Sequence, residues 1–292
     1  MIDFFITPLA YPFVVKALIA VTVVASVCAL VGTFVVLRGM SYIGAALSHS
    51  LTPGIAIGYL LNGPSRNHLF WWATITAVIA SLGMVTLVRR SRLAEDTAVG
   101  IVYAGMFALG IAIISSKHSF SVDLLHFLFG NILSITSADL VRIGIVSTLI
   151  FAVIIFFYKE LVLVSFDRTF ALSLRIKSTQ LTYLQFLLVA LAIVVALQTI
   201  GIALVITLIV APPAAALQFT HRFHYSVLAA AIIGISSGIV GIYLSYHINI
   251  ASGASVALVC VSVFLVVSVM KSLIDQLHKK KNSWNAVPRN EE

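Results

Sequence analysis

The chain has 292 residues, 61% hydrophobic and only 10% charged, with a mean hydropathy of +1.10 and a net charge of +8. Soluble domains carry about a quarter charged residues, so this composition excludes a soluble globular fold and leaves an all-α, polytopic transmembrane bundle. A basic balance of this size also attends nucleic-acid binding. Here, however, Lys and Arg gather in short segments between apolar runs, as the positive-inside rule expects, so the implied partner is a lipid bilayer and not nucleic acid.

The opening segment MIDFFITPLAYPF has no basic residue before Lys16 and makes a poor secretory signal. Runs of about 20 apolar residues cross a hydrocarbon core roughly 30 Å thick. Nine are predicted: 12–36, 42–61, 69–88, 97–115, 138–158, 181–198, 200–218, 226–245 and 254–272. Only Gln198, Thr199, Ile200 and Gly201 separate the sixth from the seventh, so one broken element there would reduce the count to eight. Arg89, Arg90 and Arg92 place the loop after the third span in the cytoplasm. Alternation then puts fourteen of the eighteen Lys and Arg residues inside, leaving Lys16, Arg66, Lys117 and Arg142 outside. The expectation is a multi-pass membrane domain over 1–273 and a polar, flexible, cytoplasmic tail over 274–292 without chemistry of its own.

Three features interrupt this pattern. Val122–Phe129 is apolar but too short to span, and reads as an interfacial or re-entrant helix on the outer side, followed by Gly130-Asn131. Lys159–Ser178 is a charged cytoplasmic stretch in which Asp167 can cap a short helix beginning near Arg168. Phe170 and Leu174, four apart, would share one face with Ala171 beside them. Such a helix is a docking surface for a partner, the alternative being a helix lying on the inner leaflet. Prolines mark the third feature. Pro212-Pro213 is expected to break or kink the seventh span, and Pro53-Gly54 the second. Gly234, Gly238 and Gly241 permit close helix contact, between copies or within the chain.

Several chemistries lack their residues. The chain contains no GxxxxGK[ST] phosphate loop, no H-E-x-x-H and no G-x-S-x-G, so neither ATP hydrolysis nor proteolysis is expected of it, and no catalytic residue is assigned. No carboxylate lies mid-span; Glu95-Asp96 and Asp139 begin spans, where carboxylates suit helix N-termini. Asp96 is also placed to touch a partner. Cys28 and Cys260 lie inside apolar runs and read as small core residues.

His49 is the one group titrating near neutral pH that falls well inside a predicted span. An ionisable side chain at that depth marks a functional site unless it is simply hydrogen-bonded in a polar core. Counted from Arg38 at about 1.5 Å per residue, it lies roughly 15 Å in. Neutral imidazole suits Mn, Fe, Zn and Cu, and a single transient ligand suits an ion that must be released. Ser48 and Ser50 flank it as weak additional ligands.

These residues carry a family resemblance. VVLRGMSYIGAALSHSLTPGIAIGYLL, Val35–Leu61, resembles the permeases of ATP-driven importers for manganese, zinc and iron, whose pattern is an arginine pair, Met-Ser, and Gly-Asp-x-Leu-Ser-His-x-x-x-Pro-Gly. Leu93–Ser115 is similar to the family's Glu-Asp-x-Ala-x-Gly-Ile segment. Phe127–Leu140 is similar to its Phe-Gly-Asn-Ile-Leu segment, and Gln198–Phe219 to its Gly-x-x-Leu-Val-x-x-Leu-x-x-x-Pro-Ala-Ala segment. The resemblance implies a permease subunit in a prokaryotic plasma or inner membrane. It further implies two copies forming the pore, separate cytoplasmic ATP-binding subunits, and an extracytoplasmic metal-binding protein. Asp167, Arg168, Phe170, Ala171, Leu174 and Arg175 would form the helix that couples to the ATPase. Mn2+, Fe2+ or Zn2+ would be cargo, with no cofactor bound permanently. Pro53-Gly54 after the histidine is more like the manganese and iron members. A stand-alone secondary carrier or channel is the alternative reading.

The sequence departs from the family at two places. The family's Asp, four residues before the histidine, is Ala45 here, which leaves His49 without its carboxylate partner; Met40, Ser41, Ser48 and Ser50 are the nearby substitutes. Arg175 stands where relatives usually have Gly at the end of the coupling helix.

Overall fold

The computed structural model describes residues 10–63, 65–91, 94–116, 135–220 and 222–285. Among these residues the structure is helical throughout, without a strand. In chain order the helices are α1 (Pro12–Leu37), α2 (Ile43–Ser50), α3 (Thr52–Asn62), α4 (Arg66–Arg90), α5 (Glu95–Ser115), α6 (Ser137–Phe156), α7 (Tyr158–Phe166), α8 (Arg168–Ser173), α9 (Ser178–Ile200), α10 (Ile202–Phe219), α11 (Phe223–Ile248) and α12 (Ser252–Asn285). Seven of these, α1, α4, α5, α6, α9, α11 and α12, are long and apolar enough to cross a bilayer. The other two predicted spans are the shorter α10 and the interrupted pair α2–α3. The sixth and seventh runs are separate helices because Gly201 sits between them at φ 82°, a backbone region that favours glycine.

The centre of the bundle is α1, packed against α6, α9, α10 and α11. Pro12 opens it at a position where the missing N–H has no helical partner to lose. Its inward positions are small or β-branched, among them Ala17, Val21, Ala25 and Val31. Without a hydrophobic drive between helices in lipid, close approach of small residues is what holds such contacts. Large apolar side chains such as Ile155, Phe156, Leu258 and Leu265 point outward instead.

The late glycines settle into this packing. A Cβ on Gly238 would lie 2.2 Å from Val21 Cγ1 of α1, and one on Gly241 would lie 2.4 Å from Val256 Cα of α12. Their small size therefore serves contacts within the chain. Pro212 and Pro213 sit inside α10, which continues through them as one helix. The helix is not interrupted at the pair, and the oxygen that the prolines free meets α1. Pro213 cannot donate to the Ile209 carbonyl. That carbonyl instead turns to Gly32, where a Cβ would be only 2.1 Å from it and 3.0 Å from Pro213 Cγ. A bare Cα thus accommodates the freed oxygen.

Two connections differ from the sequence reading. Residues 158–173 form two helices, α7 and α8, divided at Asp167. The segment after residue 273 continues the last span as helix to Asn285, because no Gly or Pro intervenes. The candidate outer helix Val122–Phe129, with Gly130-Asn131, and residues 286–292 lie outside the described residues.

Candidate metal pathway

The α2–α3 element is ringed by α4, α5, α9 and α10. It breaks at Leu51, two residues after His49. Pro53 has no N–H for the His49 carbonyl, and the Thr52 hydroxyl supplies the replacement, donating to that oxygen at 2.7 Å. Gly54 lets α3 press onto α4: a Cβ there would stand 2.0 Å from Thr76 Oγ1 and 2.5 Å from the Trp72 carbonyl oxygen. The Pro-Gly pair therefore does two jobs, one opening the helix and one seating it.

His49 is half-buried, and Ala45, one turn earlier, shares its exposure. Their common face meets α5. The imidazole centroid lies 5.7 Å from the Tyr103 ring and 5.3 Å, edge to face, from the Phe107 ring. Tyr103 stacks on Phe107 at 6.0 Å and also meets Tyr42 edge-on at 6.0 Å. Among the described residues neither imidazole nitrogen has a hydrogen-bond partner, so the description of a satisfied core histidine does not apply to this geometry.

The path from Arg38 to His49 is not helical throughout. Residues 39–42 are a turn, with Gly39 at φ 71°, and α2 starts only at Ile43. Six residues of helix place His49 about 9 Å beyond that start, at about 1.5 Å per residue.

Ser48 and Ser50 do not join it. Both are fully buried to either side of it, and their hydroxyls donate to their own helix, to Gly44 O and Ala46 O, each at 2.7 Å. Met40 is buried as well. Among the described residues no three His, Cys, Asp or Glu side chains gather into a ligand cluster. Cys28 and Cys260 are free and buried.

The α7–α8 segment has its own geometry. Asp167 caps α8, its Oδ1 accepting the Phe170 N–H at 2.9 Å, and Arg168 opens the helix. The far end closes with Arg175 N–H on Leu172 O at 3.0 Å and Ile176 N–H on Ala171 O at 3.1 Å. This paired closure requires a left-handed residue, and Arg175 supplies it at φ 56°. A side chain there is strained, and a glycine would not be. Phe166, Phe170, Leu172 and Leu174 are exposed, while Ala171 is buried against the bundle. Ala171 therefore anchors the helix, and Phe170 and Leu174 are presented outward.

A polar cluster near the Arg38 end escaped sequence reasoning. Arg38, only 8% exposed in its side chain, donates to Gln185 Oε1 and pairs with Glu95 at 3.4 Å. Gln185 in turn donates to Ser165 Oγ at 2.6 Å and to Leu161 O at 3.3 Å. Gln185, the amide that lies inside the span and not at its ends, was the available signal. Tyr103 and Phe107 were also missed; with Gly110 they form an i, i+4, i+7 stripe on α5.

A bundle of membrane-length helices around an interrupted element, with an exposed short helix at one edge, defines a multi-pass membrane permease domain. Residues 10–271 match the ABC 3 transport family, and the chain belongs to it. It is 38% identical over 271 residues to the manganese transport system membrane protein MntC of Listeria innocua, covering 93% of this chain and 95% of that one. It is 35% identical over 266 residues to a probable iron transport system membrane protein of Haemophilus influenzae, covering 91% and 96%. Among solved structures, PsaBC of Streptococcus pneumoniae, in complex with Fab, superposes with a TM-score of 0.79 at 32% identity, over 91% of this chain and 95% of that one.

Proposed function

We propose that this chain is the permease subunit of an ATP-driven importer of divalent transition-metal ions, with Mn2+ the favoured cargo and Fe2+ and Zn2+ next. The observation that carries this reading is His49: a half-buried imidazole without a hydrogen-bond partner among the described residues, on a helix interrupted beside it. Neutral imidazole is a borderline ligand that accepts all three ions. A single such ligand, with Ala45 where a carboxylate would stand, holds an ion weakly enough to let it go. Selectivity then falls to the extracytoplasmic binding protein that delivers the ion.

Two copies form the pathway in a prokaryotic plasma membrane, and ATP hydrolysis belongs to a separate chain. That ATPase docks on the cytoplasmic side, at the exposed Phe170 and Leu174 of α8. The basic residues at the Arg38, Arg89 and Arg175 ends favour this orientation, with the C-terminus inside. The apolar exposure of α8 and its rigid caps suit a knob that fits a groove in a partner.

The test is uptake into proteoliposomes containing this chain with its ATPase and binding protein. The expected result is 54Mn accumulation that requires ATP, both partners and His49, with His49→Ala lowering uptake at limiting metal while assembly persists. Accumulation by this chain alone down an ion gradient would overturn the reading in favour of a secondary carrier. Unchanged uptake in His49→Ala would remove His49 from the pathway.

A further inference from the structure

The polar cluster at Arg38 connects two parts of the molecule that the proposed transport cycle must move together. On one side is α7, which leads through Asp167 directly into α8. On the other is α5, whose Tyr103 and Phe107 lie on His49. Between them the contacts are continuous: Ser165 and Leu161 of α7 accept from Gln185 of α9, Gln185 accepts from Arg38 at the end of α1, and Arg38 pairs with Glu95 in the first turn of α5.

We propose that Gln185, Arg38 and Glu95 form the joint that transmits movement of the α7–α8 unit to α5 and so to the aromatic face over His49. They are positioning residues that touch no cargo. This rests on the proposed docking of an ATPase at α8.

Three observations favour a working joint over a passive brace. Coupling between distant sites travels through packed and hydrogen-bonded elements able to take two arrangements. Gln185 is the shared member, buried, with its oxygen committed to one helix and its nitrogen to another, so neither contact can shift without loading the other. Beside it lies a cavity of about 20 Å³, walled by Phe34, Ile43, Ile154 and Phe186, so Gln185 is not close-packed on that side. Finally, α5 is little buried along its length and its close contacts are with α2–α3, so a pull on Glu95 at its N-terminal end is passed to the element that carries His49.

The experiment uses the full complex of permease, ATPase and binding protein in proteoliposomes, with Mn2+ as the probe, and reads the ratio of Mn2+ taken up to ATP hydrolysed. Gln185→Leu removes both arms of the joint, Glu95→Gln removes the charge at its far end, and Gln185→Glu keeps the acceptor for Arg38 and accepts from the Ser165 hydroxyl once that hydroxyl turns from the Leu161 carbonyl. The expected result is a fall in the ratio of about fivefold in Gln185→Leu and Glu95→Gln, within the range that mutations along coupling networks produce, and a ratio near wild type in Gln185→Glu. Should Gln185→Leu fail to assemble, Glu95→Gln and Gln185→Glu decide between them. An unchanged ratio in Glu95→Gln overturns the joint, as does an equal fall in all assembled variants, which would report only a structural role. Wild-type uptake that needs no ATPase would instead overturn the functional reading, and is seen before any variant is tested.

Discussion

Gly110 of α5 offers a sharp test of the contact that covers the pathway. A Cβ at Gly110 would stand 2.8 Å from both Thr52 Cβ and Thr52 Cγ2, and 3.0 Å from the Pro53 nitrogen. Ordinary carbon contacts begin near 3.5 Å, so Gly110→Ala demands a displacement of roughly 0.7 Å. Pro53 is backbone and cannot yield. Thr52 can rotate only by giving up its hydrogen bond to the His49 carbonyl, which would leave that oxygen unpaired at a cost of about 1–3 kcal/mol. The other route lifts α5, separating Tyr103 and Phe107 from His49 and incurring an overpacking cost of about 1–3 kcal/mol. Either way the site is disturbed, against a gain of only about 0.5–1 kcal/mol from replacing a helical glycine. Gly105, on the same helix with nothing within 4 Å of its Cβ position, is the matched control. Thermal unfolding of the purified protein, with Mn2+ uptake by the reconstituted complex, should show Gly110→Ala less stable and several-fold slower and Gly105→Ala little changed. Equal behaviour of the two variants would refute the close approach of α5 to the α2–α3 break.

Further outcomes follow from the same geometry. Ala45→Asp places a carboxylate one turn from His49 on its exposed face; a charge-assisted ligand contributes about 1.5 kcal/mol or more, so apparent Mn2+ affinity should rise about tenfold, and unaltered metal-competition profiles would show that the face does not meet the ion. Arg175→Gly removes the strain of a side chain at φ 56°. Relief of about 1–2 kcal/mol, less about 0.4–1 kcal/mol for the freer unfolded chain, should raise the Tm modestly, and a lower Tm would contradict the assigned conformation. Phe170→Asp sets a charge on the exposed face of α8 and should leave ATP hydrolysis no longer matched to uptake; normal coupling would move the ATPase contact elsewhere along residues 158–177.

The existence and placement of the membrane helices were legible from apolar runs alone, because a bilayer demands about 20 apolar residues and internally satisfied backbone whatever the helices later touch. His49 and the Asp167 cap were legible for a similar local reason: one is an ionisable group among apolar residues, the other an acceptor placed to take up N–H groups at a helix start. Where the Ser48 and Ser50 hydroxyls point was not legible: adjacency in sequence puts residues on different faces of a helix, and both hydroxyls donate to their own backbone. The helix after residue 273 was missed because a polar composition was taken for flexibility, although nothing in it stops a helix before Asn285.

What the sequence determined by itself was the class of protein, its helical segments and the histidine worth testing. The tertiary structure alone decided what faces what. The Ile209 carbonyl, freed by Pro213, finds room at Gly32, 177 residues away in the chain. Tyr103 and Phe107 meet His49 because Gly110 brings α5 onto the break at Leu51. Gln185 joins Arg38 to Ser165 across three helices. Such partnerships follow from how helices lie against one another, and small residues far apart in the chain set those distances.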